Sequence, residues 1–532
     1  MNEQWAKRRR RGDDDDGSVI AMDRLSQLPQ PILHSILSLL PQKDAIQTCV
    51  LSKSWRYLWH GRLNVEFDEV DHRLNKEFWS FVDKTLQRYL DQNLSLQKFL
   101  VYIIYEVDLV LLQKWIPLLL MNMGVRSLSL TFPWSIEAYP LPLAVFQSES
   151  LVELHLQRCD LKLLKSTNNV MLNNLLTLRL HYVDITDEIF EKIISGCPLI
   201  ENLDLLYCRG LKSLKLHKHH NIKGFCCEVN VPLIIEIEDL HPLESVRIKN
   251  FSRDWFLPHK NVHFPHLKSL DLYKVQLPAD IFDNFSSFFP CLNELRLNGC
   301  KGLKEFLLLS YSIKRLIVKM DQRDRIKALI DTPNILYFEY SGRDFLPSIE
   351  FATTSNEWKS EISLCYKLKR SDKDATSWFL KLNKLLKALS QSRITLKINR
   401  RNNKKLHIKD SDGGLYKPVA VDHLKLFERL PSSPDPTILN CFLRICRPWY
   451  IHMDRYSDWQ AKCNLVEYIS KLPDEKGSYF WLQDLEEVTF EVRDIKAEEW
   501  NCVQLTSLQA LCSVRYQIRF RLTWKEQLSK FT

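Results

Sequence analysis

The feature that most constrains this chain is a six-residue pattern with apolar residues at its first, fourth and sixth positions. It appears as VRSLSL from Val125, LVELHL from Leu151, LLTLRL from Leu175, IENLDL from Ile200, LESVRI from Leu243, LKSLDL from Leu267 and LNELRL from Leu292. The clear intervals, such as 125 to 151 and 151 to 175, are 24 to 26 residues long. Shorter units carry the same pattern, LKSLKL from Leu211 and LKEFLL from Leu303, and IKRLIV from Ile313 and ILYFEY from Ile335 follow. Alternate residues of a strand point to opposite faces, so the last two apolar positions face inward together and the residues between them face outward. One such strand cannot cover its own apolar face. Stacked copies supply the missing partner, and the chain grows in one dimension.

A period of this size is the leucine-rich-repeat signature. Cys159, Cys208 and Cys300 each fall three residues after the last apolar position of a pattern strand, where the repeat consensus places Asn or Cys at the turn leaving the strand. The longer repeats leave room for a helix. In the segment Asp184–Gly196, Thr186 is the expected cap and Ile189, Phe190, Ile193 and Ile194 the inner stripe. A lead-in precedes the array: Val65 and Phe67, a helical stretch with Phe78, Phe81, Val82, Leu86, Tyr89 and Leu90 on one face, a strand-like run Phe99–Tyr105, and a further helix up to Gly124. Beyond Tyr340 the pattern loosens into a helix from about Ala375 to Ser390, a strand from Ile394, a polar stretch Arg400 to Lys405, a turn at Gly413-Gly414, and Pro431 to Pro436. Strand-like segments from Leu485 and Val514 lead to the expectation that the array continues to the end in divergent form.

The 532 residues exceed what one core usually organises, which agrees with a repeat array. Only 13 glycines stand against 26 phenylalanines, which argues against a low-complexity chain. The longest apolar run, around Leu109 to Met123, is broken by Gln113, Lys114 and Pro117, short of a membrane span. The first residues are charged, unlike a secretory signal, so the expected location is intracellular, in the nucleus and/or cytoplasm. The basic run Lys7 to Arg11 reads either as a nuclear-import signal or as a solvated tail compensated by Asp13 to Asp16. The 14 cysteines include no C-x-x-C pair and read as reduced thiols. A net charge of +9 spread over such a length is too mild for a nucleic-acid footprint.

From Asp23 to Trp59 the sequence DRLSQLPQPILHSILSLLPQKDAIQTCVLSKSWRYLW divides into three short helical patterns. Pro29 suits a first helical turn, Ile32, Leu33, Ile36, Leu37 and Leu40 recur at helical spacing, and Pro41 ends that helix. Asp44 is a candidate cap for a second helix, and Ser52 for a third carrying Trp55, Leu58 and Trp59. Three helices in so short a stretch cannot enclose all these side chains. The segment resembles a plant-type F-box, with Asp23-Arg24, Leu28-Pro29, Ile36-Leu37, Leu40-Pro41, Lys43-Asp44 and Leu51-Ser52-Lys53-x-Trp55-Arg56-x-Leu58-Trp59 at motif spacing; Pro31 and His34 depart from it. The resemblance implies docking to a Skp-type adaptor and through it to a cullin. It implies that Leu28, Pro29, Ile32, Leu33, Ile36, Leu40, Val50, Trp55 and Trp59 form or support that contact.

Taken together, the chain resembles the plant F-box/leucine-rich-repeat family, most strongly over roughly residues 23–345. The expected fold class is α/β, a small all-helical F-box followed by a repeat solenoid. The expected divisions are a charged tail (1–21), the F-box (22–62), a lead-in and first repeat (63–124), the solenoid (125–345), and divergent repeats with a carboxyl-terminal cap (346–532). The function implied is that of a substrate-recognition subunit of a Skp-cullin-F-box ubiquitin ligase whose repeats bind an unknown protein substrate. A hormone-like co-receptor and a non-degradative scaffold are alternatives on the same architecture. The candidate substrate face, on the concave side of the strands, comprises His155, Arg179, His181, Arg247, Lys249, Asp271, Tyr273 and Arg296. The cluster His217, His219 and His220 lacks carboxylates at metal-ligand spacing and reads as loop histidines. No nucleotide-loop, nucleophile-elbow or zinc-protease motif is found, so no catalysis, cofactor, metal, nucleic acid or membrane partner is expected.

Overall fold

The computed structural model describes residues 28–40, 42–51, 55, 58, 61–69, 78–105, 108–135, 137–166, 170–216, 220–231, 233–237, 240–250, 263–278, 280–320, 326–343, 346–353, 358–366, 376–400, 417–428, 436–453, 467–469, 480–494, 499–504 and 516–525. The charged tail with Lys7 to Arg11, Asp23-Arg24, Pro41, Ser52, Trp59, His217, His219, Gly413-Gly414 and Pro431 lie outside them. The chain divides into two compact units, residues 1–154 and 155–532.

In the first unit a helix spans Gln30–Leu39. Pro29 stands at its cap rather than inside its first turn, with extended backbone and a carbonyl that accepts from the N–H groups of Ile32 (2.9 Å) and Leu33 (3.2 Å). A second helix spans Gln42–Gln47 and tightens into a single 3₁₀ turn, Thr48–Val50. Asp44 is therefore not its cap. It lies one turn inward, where a carboxylate still complements the positive end of the helix dipole. Leu33, Leu37, Ala45, Trp55 and Leu58 close a small core, with Leu28, Ile36 and Leu40 packed against its rim.

Strands Asn64–Asp68, Lys98–Tyr102 and Ser127–Thr131 follow, parallel and in register, so that Val65, Phe99 and Leu128 align and Phe67, Val101 and Leu130 align beside them. All six side chains are buried. The connecting helices Phe78–Asp91 and Leu109–Met121 cover this face. The Asp108 carboxylate caps the second by accepting from the Leu111 N–H at 2.9 Å. Arg62 ties the helical motif to these strands: its buried guanidinium donates to the carbonyls of Leu37 (3.0 Å) and Leu40 (2.9 Å), at the negative end of the first helix, and its own carbonyl accepts from the Tyr89 hydroxyl at 2.8 Å.

In the second unit, parallel strands at Thr177–His181, Asn202–Leu206, Gly224–Val229, Ser245–Asn250, Ser269–Tyr273, Glu294–Asn298, Arg315–Lys319 and Tyr337–Gly342 each pair with the next. Where the leucine pattern names a strand, the strand begins at the pattern's third residue. The helix between the first two spans Asp187–Ser195 with Thr186 as cap, its hydroxyl accepting from Ile189. The strand Gly224–Val229 fills the gap between the units at Ile200 and Leu243, with Phe225 and Cys227 where the other strands have leucines. The short units at Leu211 and Leu303 are not further members of this ladder. Ser213–Lys215 pairs with Ile234–Glu236, and Glu305–Leu309 pairs with Lys327–Asp331 and through it with Ser348–Thr353, as separate small sheets. The reason is reach: five residues separate Leu309 from Arg315, fewer than a crossover between parallel strands of one sheet requires.

After Gly342 the strands lengthen, at Lys359–Tyr366, Arg393–Arg400, Val419–Glu428 and Cys446–Met453, still parallel, with helices Thr376–Ala388 and Pro436–Ile445 between them. The expectation that repeats continue to the end is corrected here. Leu485–Asp494 and Tyr516–Trp524 pair antiparallel, and the latter lies antiparallel against Cys446–Met453, so the last parallel edge is covered by a different kind of sheet.

One turn recurs at the ends of the repeat strands. Arg158, Tyr182, Tyr207, Lys274 and Gly299 each follow a strand directly, with φ between 53° and 61°. The next residue, Cys159, Val183, Cys208, Val275 or Cys300, is buried. The thiol of Cys208 donates to the carbonyl of Leu180 (3.1 Å) and that of Cys300 to the carbonyl of Leu272 (3.3 Å), both on the preceding strand. This is why the consensus wants a small donor there. Burial pushes both thiols up to about 12, so they stay protonated donors. Two residues on, Gly210 and Gly302 have φ of 96° and 92°, and a Cβ there would lie 2.8 Å from the Ile185 carbonyl oxygen and 2.6 Å from that of Leu277.

Two predictions test this account. Arg62→Ala removes two charge-assisted hydrogen bonds and is expected to destabilise the first unit by about 2–4 kcal/mol. In hydrogen exchange the amides of Gln30–Leu39 should lose protection; unchanged protection would contradict the clasp. Gly302→Ala combines a left-handed backbone with a carbonyl clash and should cost at least about 1 kcal/mol in urea unfolding, whereas Gly61→Ala, which meets only ordinary contacts, should cost less.

Candidate functional site

The helical motif sorts its apolar residues into two sets. Leu33 and Trp55 are 3% and 2% exposed and belong to the core, so they support the surface rather than form it. Leu28, Ile36 and Leu40 are half-buried at the rim, and Pro29 is exposed. Ile32 is 47% exposed and Val50 86%. Leu39, 85% exposed, and Leu51, 58%, join them, although neither is among the residues named above as forming or supporting the adaptor contact. The spacing contains the signal for Leu39: Ile32, Ile36 and Leu39 stand at i, i+4 and i+7, one stripe of a helix whose other stripe, Leu33 and Leu37, is used by the core. The result is an apolar surface that the motif itself leaves uncovered.

On the outward face of the second unit the named residues other than His155 fall into two lateral rows. Arg179 lies opposite Asp204, Cys226 opposite both Asp204 and Arg247, and Asp271 opposite both Arg247 and Arg296. The next row runs from His181 through Leu206, Glu228, Lys249 and Tyr273 to Asn298. His155 Nε2 is 3.1 Å from His181 Nδ1, and His181 Nε2 is 3.5 Å from the Asp204 carboxylate. Burial, then the neighbouring His181 and Arg179, push the His155 imidazole down to about 4, so it is neutral at physiological pH.

Most charges in these rows are compensated in place. Arg247 pairs with Asp271 at 3.2 Å, and Arg296 folds back on Glu294 at 2.8 Å, a carboxylate it shares with Arg315. Lys249 is held by Glu228 and lies 5.1 Å from the centroid of the Tyr273 ring. The hydrogen bond to Glu228 raises the Lys249 amine above its usual range despite burial. The candidate substrate residues are therefore brought together on one face but form a charge-balanced lattice.

Further along the same sheet lies a group that the sequence pattern did not disclose. His423 stacks on Tyr450, with ring centroids 5.3 Å apart, and its Nδ1 is 3.0 Å from His452 Nε2. The Arg519 guanidinium lies 4.3 Å from the Tyr450 ring centroid and 4.2 Å from that of Trp500, and pairs with Glu491. Lys397, paired with Glu361, and Lys425 continue the cluster. The strands that carry it, VDHLKL and WYIH, lack leucine at one or both inward positions, and only strand register joins residues this distant in sequence.

Comparison with known proteins bears on both surfaces. Residues 25–65 match the F-box domain family, and residues 112–244 match the family described as "FBD-associated F-box protein At5g56370, LRR repeats". The Arabidopsis thaliana "F-box/LRR-repeat protein At3g59200" is 40% identical over 200 residues, which cover 35% of this chain and 37% of that protein. "Putative F-box protein At1g49610" of the same plant is 29% identical over 57% of this chain and 69% of its own length, and "F-box/LRR-repeat protein At5g02910" is 28% identical over 50% and 51%. The alignments thus span from little over a third to about two thirds of these relatives. No described helix is long and apolar enough to cross a membrane. An uncovered helical surface within an F-box match, and a parallel strand ladder within a repeat match, make this chain one that carries an F-box followed by leucine-rich repeats of the FBD-associated type, as F-box/leucine-rich-repeat proteins do.

Proposed function

We propose that the chain is the substrate-recognition subunit of a Skp-cullin-F-box ubiquitin ligase, acting inside the cell. In this reading the F-box, residues 22–62, docks a Skp-type adaptor and through it a cullin, and the repeats hold a protein to be ubiquitylated. The chain itself contributes binding and positioning, not bond-making chemistry.

The observation that carries the reading is the apolar stripe Ile32, Ile36 and Leu39, left open next to a closed core, together with the exposed Val50 and Leu51 of the same motif. A motif this small has enough apolar residues for two surfaces and uses one for itself. Burying what remains exposed of Ile32, Leu39, Val50 and Leu51 against a partner would contribute about 4–8 kcal/mol, on a scale of roughly 1.5–3 kcal/mol for a fully exposed side chain, before the costs of association. F-box domains in general bind Skp-type adaptors, and the exposed set here has the apolar character that a stable, constitutive contact needs.

Replacing Leu28 and Pro29 together by Ala is expected to abolish co-purification with the adaptor while thermal unfolding stays close to that of the parent chain. Ile32→Asp should act likewise by placing a charge in the contact. Leu33→Ala is expected to fail differently, by unfolding the motif at a cost of about 2–5 kcal/mol. Undiminished adaptor recovery by the folded Leu28/Pro29 variant would overturn the assignment.

A further inference from the structure

Four consecutive strands of the second unit place a basic side chain at one lateral register position: Lys397 lies opposite Lys425, Lys425 opposite His452, and His452 opposite Arg519. Strands lie about 4.8 Å apart, so the row extends roughly 14 Å. Like charges directly opposed across strands destabilise a sheet. Glu361 compensates Lys397 and Glu491 compensates Arg519, but Lys425 makes no ion pair among the described residues.

The strip is also partly withdrawn from water. Burial, then Lys397, lowers the Lys425 amine. Burial, then His423, Lys425, Arg519 and Arg493, push the His452 imidazole down to about 3. Arg493, on the adjoining strand, donates through Nη2 to Gln517, while its Nε is buried with no hydrogen-bond partner among the described residues. None of this serves the core, which is filled from the other face by Leu396, Ile398, Leu424, Ile451 and Phe520. Traced back through Ser363 and Ser341, the same register row is mostly uncharged in the earlier strands, and its cations Lys319 and Lys249 are paired there with Glu339 and Glu228. Here positive charge accumulates.

We propose that the row Lys397–Lys425–His452–Arg519 is a recognition strip for an acidic, extended segment of the protein that the repeats bind. The inference rests on the reading of the repeats as the partner-binding part. An extended chain rises about 3.4 Å per residue and turns alternate side chains to one face, so roughly four residues span the row and two of them point into it. Two carboxylates, or two phosphates, so spaced would meet Lys425 and its neighbours. A single small anion would reach only one adjacent pair. Lys425 is the anchor, because it is the lysine of the row that makes no ion pair among the described residues.

The test uses the full chain and short fluorescein-labelled peptides that alternate alanine with glutamate, phosphoserine or glutamine, read by anisotropy at low salt. The glutamate and phosphoserine peptides are expected to bind and the glutamine peptide not to; tighter binding of the phosphoserine form would identify a modified segment. Lys425→Gln is expected to weaken binding at least tenfold, and Lys384→Gln, an exposed lysine of the helix Thr376–Ala388, to leave it unchanged. Because Lys425→Gln removes a repelled, half-buried charge, its melting temperature should equal or exceed that of the parent. Equal affinity of Lys425→Gln for the acidic peptides, a lowered melting temperature, or preference for a single-stranded oligonucleotide over either peptide would overturn the strip. Adaptor co-purification separates the two readings: peptide binding lost with adaptor recovery intact removes the strip alone, whereas a parent chain that recovers no adaptor removes the function on which it rests.

Discussion

A five-residue strand with two inward leucines has one apolar face and nothing of its own to cover it, and this constraint organises the second unit. Leu178 and Leu180 are buried because Leu203 and Leu205 align beside them, and Leu270 and Leu272 because Leu295 and Leu297 do. Register follows from the same burial. A slip by one residue would turn Arg179, Asp204 or Arg247 into the core, at the cost of burying a charge without a partner. The in-register parallel pairing over so many strands is therefore a consequence of side-chain period, while backbone hydrogen bonds alone would tolerate other alignments. It is also why residues far apart in sequence can be assigned to common lateral rows.

The turns maintain that alignment from one repeat to the next. A left-handed residue ends each of several strands, a buried Cys or Val follows, and in two repeats a glycine lets the chain pass against the carbonyl of the preceding turn. The thiols of Cys208 and Cys300 donate to the carbonyls of Leu180 and Leu272 on the preceding strand. These contacts each join one repeat to its predecessor, so the geometry of one turn is passed along the ladder rather than set independently.

Much of this was legible because leucine at alternate positions is a strong signal and the helical motif is dense in recognisable punctuation. What escaped did so for identifiable reasons. Gly224–Val229 places Phe225 and Cys227 where leucine was sought. The units at Leu211 and Leu303 have the leucine pattern but belong to other sheets, since the pattern states that a strand has two inward residues and not which sheet receives it. Asp44 has the chemistry of a cap, but so does an acidic first-turn residue. At the docking surface, helical spacing could not say which of two apolar stripes, Leu33 with Leu37 or Ile32 with Leu39, would face inward; Ala45, Trp55 and Leu58, packing from the other helical segments, decide it. The later strands escaped because long connections interrupt the period, and the row of basic side chains they form exists only through pairing.

The two surfaces differ in kind, and the difference suits different tasks. An apolar stripe such as Ile32 with Leu39 derives its affinity from area removed from water, is indifferent to salt, and fits a partner that never changes. A polar strand face gives little net affinity for each charge, since solvation must be surrendered on both sides, but it discriminates among partners and steers their approach. Along the early repeats that face is neutralised internally, by Arg247 with Asp271 and Lys249 with Glu228, which leaves little field to attract anything. Where compensation lapses around Lys425, the repulsion that the fold tolerates is the same free energy that an acidic ligand would relieve. Stability relinquished in the unbound sheet thus becomes selectivity for the charge that is missing from it.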